Sequence, residues 1–204
     1  AGMARCFPIP FISLVASLAL ISSSPAQATG EHKMTPEQQA AMEAYTKAAT
    51  PGPQHAALAK QVGNYSLLIK SWEAPGTEPM VENGTATRSM ILGGRVMMES
   101  MNSKMMGQPF TGHGMRGFDN VTGKHWSTWN DSISTGLMTT TGSCDEKDAC
   151  TFSGSWVDPV SKKTITSRMV SHWSGADAET FEMFGPGPDG KEFKMMEITY
   201  TRQK

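Results

Sequence analysis

Gly112-His113-Gly114-Met115-Arg116-Gly117 is spelled like the fingerprint that cradles a dinucleotide pyrophosphate. That chemistry needs a helix to begin inside the motif, so that the N–H groups of its first turn face the phosphates. Here Phe118 and the turn Asp119-Asn120-Val121-Thr122-Gly123 follow, and then another strand-like run. These are strand glycines. Trp129-Asn130-Asp131-Ser132 sets a carboxylate beside a hydroxyl, but neighbours on a strand face opposite ways and do not cooperate directly. Ser132 lacks the G-x-S-x-G elbow of a hydrolase nucleophile. No residue is assigned a catalytic role.

Metal chemistry has two sources to weigh. His32, His55, His113, His125 and His172 are scattered without ligand spacing. A buried one of them would be a candidate haem ligand, and a hydrogen-bonded structural histidine is the commoner use. Methionine is abundant, with 16 in the chain, and clustered thioethers select Cu(I). Yet Met97-Met98, Met105-Met106 and Met195-Met196 each split across two strand faces, so they do not converge on one ion. Flexible thioethers also fill irregular apolar space. No metal ligand set and no cofactor is assigned.

Met97, Met101 and Met105 share one face of a strand by parity, and Trp126 and Trp129 fall in another central strand. Trp72, Trp156 and Trp173 also lie in strand-like runs. Apolar and aromatic side chains around a few polar groups describe a pocket for a small apolar or amphipathic molecule. Met97, Met101, Met105, Trp126 and Trp129 are therefore the expected ligand-lining residues. An enzyme using the same cavity is the alternative, and a haem or copper protein the less favoured one.

The elements that must position these residues change character along the chain. Arg5, the apolar run from Phe11 to Ile21 and the small-x-small Ala26-Gln27-Ala28 read as a signal peptide over residues 1–28. The run is shorter than the roughly 20 apolar residues that cross a bilayer. An exported protein, periplasmic or secreted, is expected, with no membrane contact after cleavage. Residues 29–62 form an N-terminal helical segment. Thr35-Pro36-Glu37-Gln38 is a capping box, helix formers run to Ala49, and Thr50-Pro51-Gly52-Pro53 stops them. A shorter helix is expected over 54–61.

Residues 63–204 read as a β domain. Short runs rich in Thr, Val, Ile, aromatics and Met alternate with turn residues, without the helices that parallel βαβ units require. About ten strands are expected: 64–73, 80–91, 95–105, 109–118, 124–132, 136–143, 150–157, 163–173, 179–184 and 193–202. An open meander of that length leaves two exposed edges, and closure removes them. The expected fold is all-β, an antiparallel up-and-down barrel, with a two-sheet sandwich second. Ten strands make a wider ring than the eight that side chains just fill. A cavity follows. The charge balance, 18 basic against 19 acidic residues, offers no electrostatic reason to bind nucleic acid.

Gly63-Asn64-Tyr65 resembles the Gly-x-Trp opening of calycin (lipocalin-like) barrels, with Tyr in place of Trp, and Arg202 stands where a late arginine covers that ring. Over residues 34–202 the chain also resembles an uncharacterised bacterial family carried as a domain of unknown function. Ala49-Thr50-Pro51-Gly52-Pro53, Ile91-Leu92-Gly93-Gly94-Arg95, Met106-Gly107-Gln108-Pro109-Phe110, Gly117-Phe118-Asp119-Asn120 and Gly185-Pro186-Gly187-Pro188-Asp189-Gly190 carry that resemblance. It implies a calycin-like barrel and no particular activity.

Cys144 and Cys150 flank a five-residue loop. In an oxidising compartment they are expected to form a cross-hairpin disulfide, worth roughly 2 kcal/mol for so short a loop. Under denaturing, non-reducing conditions both should resist alkylation, and reduction should lower the melting temperature without unfolding the barrel. Two free thiols in protein recovered from the export compartment would refute this.

Overall fold

The computed structural model describes residues 34–204. The signal-peptide expectation and His32 lie outside the described residues. α1 (Pro36–Ala49) begins as its capping box requires: the Gln38 N–H donates to Thr35 Oγ1 and the Thr35 N–H donates to Gln38 Oε1. It has no buried residue. Its C-terminal end is held by side chains from the barrel instead. Asn120 Nδ2 donates to the carbonyls of Lys47, Ala48 and Thr50, and Arg95 Nε to that of Ala49. These bonds satisfy carbonyls that a helix end leaves without partners. α2 (Pro53–Ala59) buries His55 and Leu58.

Ten strands follow: β1 (Gly63–Ser71), β2 (Met80–Ile91), β3 (Val96–Met105), β4 (Gln108–Asp119), β5 (Lys124–Asp131), β6 (Met138–Cys144), β7 (Cys150–Val157), β8 (Thr164–Trp173), β9 (Ala178–Pro186) and β10 (Glu192–Arg202). Each pairs antiparallel with its neighbour in sequence, and β1 pairs with β10 to close the ring. The expected up-and-down barrel forms, and the sandwich does not. The β3–β4 turn shows how the chain reverses: Met106 and Gly107 have φ of 49° and 74°, the pair of left-handed residues that a tight hairpin turn uses.

Closure is fixed by an aromatic ring and a cation. Tyr65 is opposite Arg202 across the β1–β10 seam, and the Arg202 guanidinium lies 5.0 Å from the Tyr65 ring centroid. Arg202 also donates to the carbonyls of Val62 and Lys60, and the Tyr65 hydroxyl to that of Gln61. The seam, the chain's entry into β1 and the end of α2 are thereby one hydrogen-bonded unit. Cys144 and Cys150 face each other across β6–β7 and form a disulfide. Among the described residues no helix is long and apolar enough to cross a membrane.

Because β10 is hydrogen-bonded on both sides, its loss opens the ring and strips two strands of their partners. Ending the chain before Glu192 should abolish the cooperative thermal transition by circular dichroism. A truncated chain that still melts cooperatively would count against obligatory closure.

Candidate functional site

Strand alternation decides which side chains see the interior. On β3, Met97, Glu99, Met101, Ser103 and Met105 face in, and on β5 Ser127, Trp129 and Asp131 do. They line a cavity of about 1050 Å³. It runs from the rim formed by the β3–β4, β5–β6 and β7–β8 loops down to Glu99, Arg116 and Tyr200 near the helical end. Ten methionines are among its lining residues, which makes its walls apolar and adaptable.

Four of the five expected lining residues are there: Met97, Met101, Met105 and Trp129. Trp126 is not. Its parity, opposite to that of Ser127 and Trp129, turns it to the outer face, where its ring covers Gly117. Trp129 lies inside across Gly112 and Gly114, and a Cβ on Gly112 would collide with its six-membered ring. The spacing that imitates a dinucleotide fingerprint is thus the footprint of two indoles, one on each face of the sheet. The Trp129 N–H donates to Asp131 Oδ2 at 3.0 Å, which satisfies a polar group inside an apolar wall.

Of the three methionine pairs one splits as expected, while Met105 and Met106 both border the cavity and the register shift between Lys194 and Met196 brings Met195 to the same side as Met196. Met97 faces in and Met98 out, and the Met195 sulfur packs over Gly185 beside Ser167, on the inner face that Met196 also lines. Among the described residues no histidine lines the main cavity. His113 hydrogen-bonds Ser100 at an exposed position, and His125 packs edge-on to Phe118 and Phe152, where burial holds its imidazole below the ordinary range. No imidazole is therefore offered to a haem there. No group of three or more His, Cys, Asp or Glu is placed to hold a metal ion among the described residues.

The inner end of the cavity holds what sequence reasoning missed. Arg88 of β2, its side chain 0% exposed, forms ion pairs with Glu99 of β3 at 2.5 Å and with Glu179 of β9 at 2.6 Å. Its guanidinium sits between the rings of Tyr65 and Tyr200, 4.9 and 4.3 Å from their centroids. Glu99 also accepts from the Tyr200 hydroxyl, and Glu179 from Arg116 of β4 at 3.4 Å. Burial pushes the Glu179 carboxyl up, but Arg88 and Arg116 outweigh it and hold the group below the usual carboxylate range. Burial, reinforced by Glu99, pushes the Tyr200 phenol well up, so it remains a donor. The signal was present: Glu99 interrupts the inward face between Met97 and Met101.

A closed antiparallel ring with an apolar lumen and a charged, hydrogen-bonded floor defines a calycin-like barrel with an internal cavity. The chain belongs to the family described as protein of unknown function (DUF1579), whose model matches residues 50–202. No curated protein matches it. It is similar to the crystal structure of Rv2717c from M. tuberculosis, at 12% identity and a TM-score of 0.56, over 76% of this chain and 100% of that one. At that identity the likeness shows the fold alone. A redesigned beta barrel matches 78% of this chain and 96% of its own at 11% identity, with a TM-score of 0.35 that carries no argument.

Removing Arg88 leaves two carboxylates facing the interior without their cation. Arg88→Met should cost about 3–5 kcal/mol in chemical denaturation, and adding Glu99→Gln with Glu179→Gln should recover part of it. The pH dependence has a definite sign. Glu179 is depressed in the folded state, so its contribution is present above the unfolded glutamate value of about 4.3 and is lost as pH falls through its folded value. Wild-type stability should drop over that acid range, and Glu179→Gln should flatten the drop. A variant as stable as wild type and equally acid-sensitive would show that the cluster contributes nothing.

Proposed function

We propose that this is an exported, non-enzymatic barrel that binds one small apolar or amphipathic molecule in its lumen. The observation that carries the reading is the cavity: about 1050 Å³, walled by methionine and aromatic side chains, with a cluster of charged and hydroxyl groups at its inner end. Ligand pockets have this size and this mixture of an apolar wall with a few placed polar groups. Thioethers suit the task because they repack around ligands of differing shape. The rim supports a route in. Ile133, Leu137 and Val157 line its edge and are exposed, as is Val160 beside them. Export is supported by the Cys144–Cys150 disulfide and by the targeting pattern of residues 1–28.

Nile red, a neutral apolar dye, provides the test. It should bind saturably at one site, brighten, and be displaced by dodecanol. Met105→Ala, at the wall and half-buried, should change the affinity while costing less than the roughly 2–5 kcal/mol of a methionine truncated in a filled core. Its side chain faces a void and loses fewer contacts. Absence of saturable binding, together with a full core-type loss at Met105, would mean that the barrel does not take a ligand.

A further inference from the structure

Three inward-facing polar side chains lie in one row across adjacent strands. Arg116 of β4 is opposite Ser127 of β5, and Ser127 is opposite Thr140 of β6. All three line the cavity, at its inner end and not at the rim. We infer that this row is the headgroup site of the cavity, and that it takes an oxyanion, a carboxylate or a phosphate monoester, carried on an apolar chain. The inference rests on the lumen being a ligand site and adds the chemistry of the ligand's polar end.

The hydrogen-bond inventory of the floor carries the argument. Both carboxylates there are occupied. Glu99 accepts from Arg88 on one oxygen and from Tyr200 on the other, and Glu179 from Arg88 and Arg116 likewise. The surplus is in donors. A guanidinium has five N–H donors, and among the described residues Arg116 makes one hydrogen bond, to Glu179 at 3.4 Å. Its side chain is 20% exposed. Ser127 and Thr140 share one hydrogen bond of 2.6 Å. In that pair one hydroxyl donates to the other, and the acceptor's own hydrogen remains to be given away. A forked cation beside a hydroxyl donor complements an oxyanion, which accepts two parallel N–H bonds from one guanidinium. A ligand ending in a donor alone, such as an amine, would meet Arg116 with the wrong charge.

The rest of the lumen sets the other end of the molecule. From Arg116 toward the rim the wall is mainly Met97, Met101, Met105, Met138 and Trp129, which suit an alkyl chain. The rim carries polar side chains too, but its cation, Lys104, is solvent-exposed where Arg116 is only 20% exposed, so the inner cation is the one an anion reaches out of water. The ligand is therefore oriented with its charged end inward and its chain toward the mouth. This differs from simple partition into an oily space, which would leave the charge in water.

Dodecanoate, dodecyl phosphate and dodecanol share one chain and differ at the head, so displacement of Nile red by each separates the claims. Wild type should bind at least one of the two anions roughly 10- to 100-fold more tightly than dodecanol, the span expected of a charge-assisted hydrogen bond. Which anion leads identifies the headgroup. In Arg116→Gln the ratio of anion to alcohol affinity should collapse toward one, and in Arg116→Lys it should fall only in part. Should Arg116→Gln not fold, the paired Ser127→Ala and Thr140→Val substitutions provide the second reading and should lower the same ratio. Dodecanol binding as tight as both anions in wild type would overturn the headgroup site while leaving the cavity reading intact. So would an unchanged ratio in every folded variant. Failure of all three amphiphiles and of Nile red would overturn the cavity reading itself.

Discussion

A guanidinium buried with no exposed atom is the constraint on which the rest of this barrel depends. Taking one such charge out of water costs several kcal/mol even after relaxation, and half of Arg88's compensation has to come from a distant part of the chain. Glu99 is the next strand's residue, but Glu179 lies 91 positions away on β9. β2 and β9 are not neighbours in the sheet, being separated by β1 and β10. The Arg88–Glu179 pair therefore reaches across the lumen, and so does Arg116–Glu179 from β4. Neither pair exists until the ring has closed. Ring closure in turn stacks Arg202, Tyr65, Arg88 and Tyr200 in alternation, cation against ring, at 4.3 to 5.0 Å. Desolvated contacts of this kind are worth about 2 kcal/mol each.

The same cluster divides the interior. At the helical end, ion pairs and rings fill the lumen. Toward the rim methionines are the most numerous lining side chains, and space remains. Arg116 stands at the boundary, bordering both the main cavity and a void of about 20 Å³ under α2. Trp129 shows how the wall itself is built: two glycines on β4 give its ring room to lie flat, and Asp131 takes its N–H. The floor needs rigid, charge-compensated groups because an unpaired charge there is costly, and there the buried Arg88 Nη2 alone is left without a hydrogen-bond partner among the described residues. The wall needs none of that.

Legibility in the sequence followed the strength of the local physics. The capping box of α1 and the turn chemistry between strands mark elements that the structure places within a few residues, because these are decisions of neighbouring residues. Closure was legible as a consequence of unprotected edges. Orientation was not. Trp126 and Trp129 occupy one strand and differ by an odd number of positions, so only one can face inward, and nothing local says which. Arg88, Glu99 and Glu179 were missed because a charged residue on a strand is ordinarily solvated, and their compensation is visible only once β2, β3 and β9 are assembled. The cue was Glu99 in alternation with Met97 and Met101, a charge on an otherwise apolar face.

The central claim is that the methionine-walled lumen is a real space that an apolar chain enters. Methyl NMR of the methionines during titration with dodecanol measures this most directly, because the wall supplies its own probes. The account predicts saturable shifts for Met97, Met101 and Met105, which line the cavity, with Met98 on the outer face and Met42 on the exposed α1 unmoved. Shifts confined to the exposed methionines, or none at all at saturating dodecanol, would contradict it.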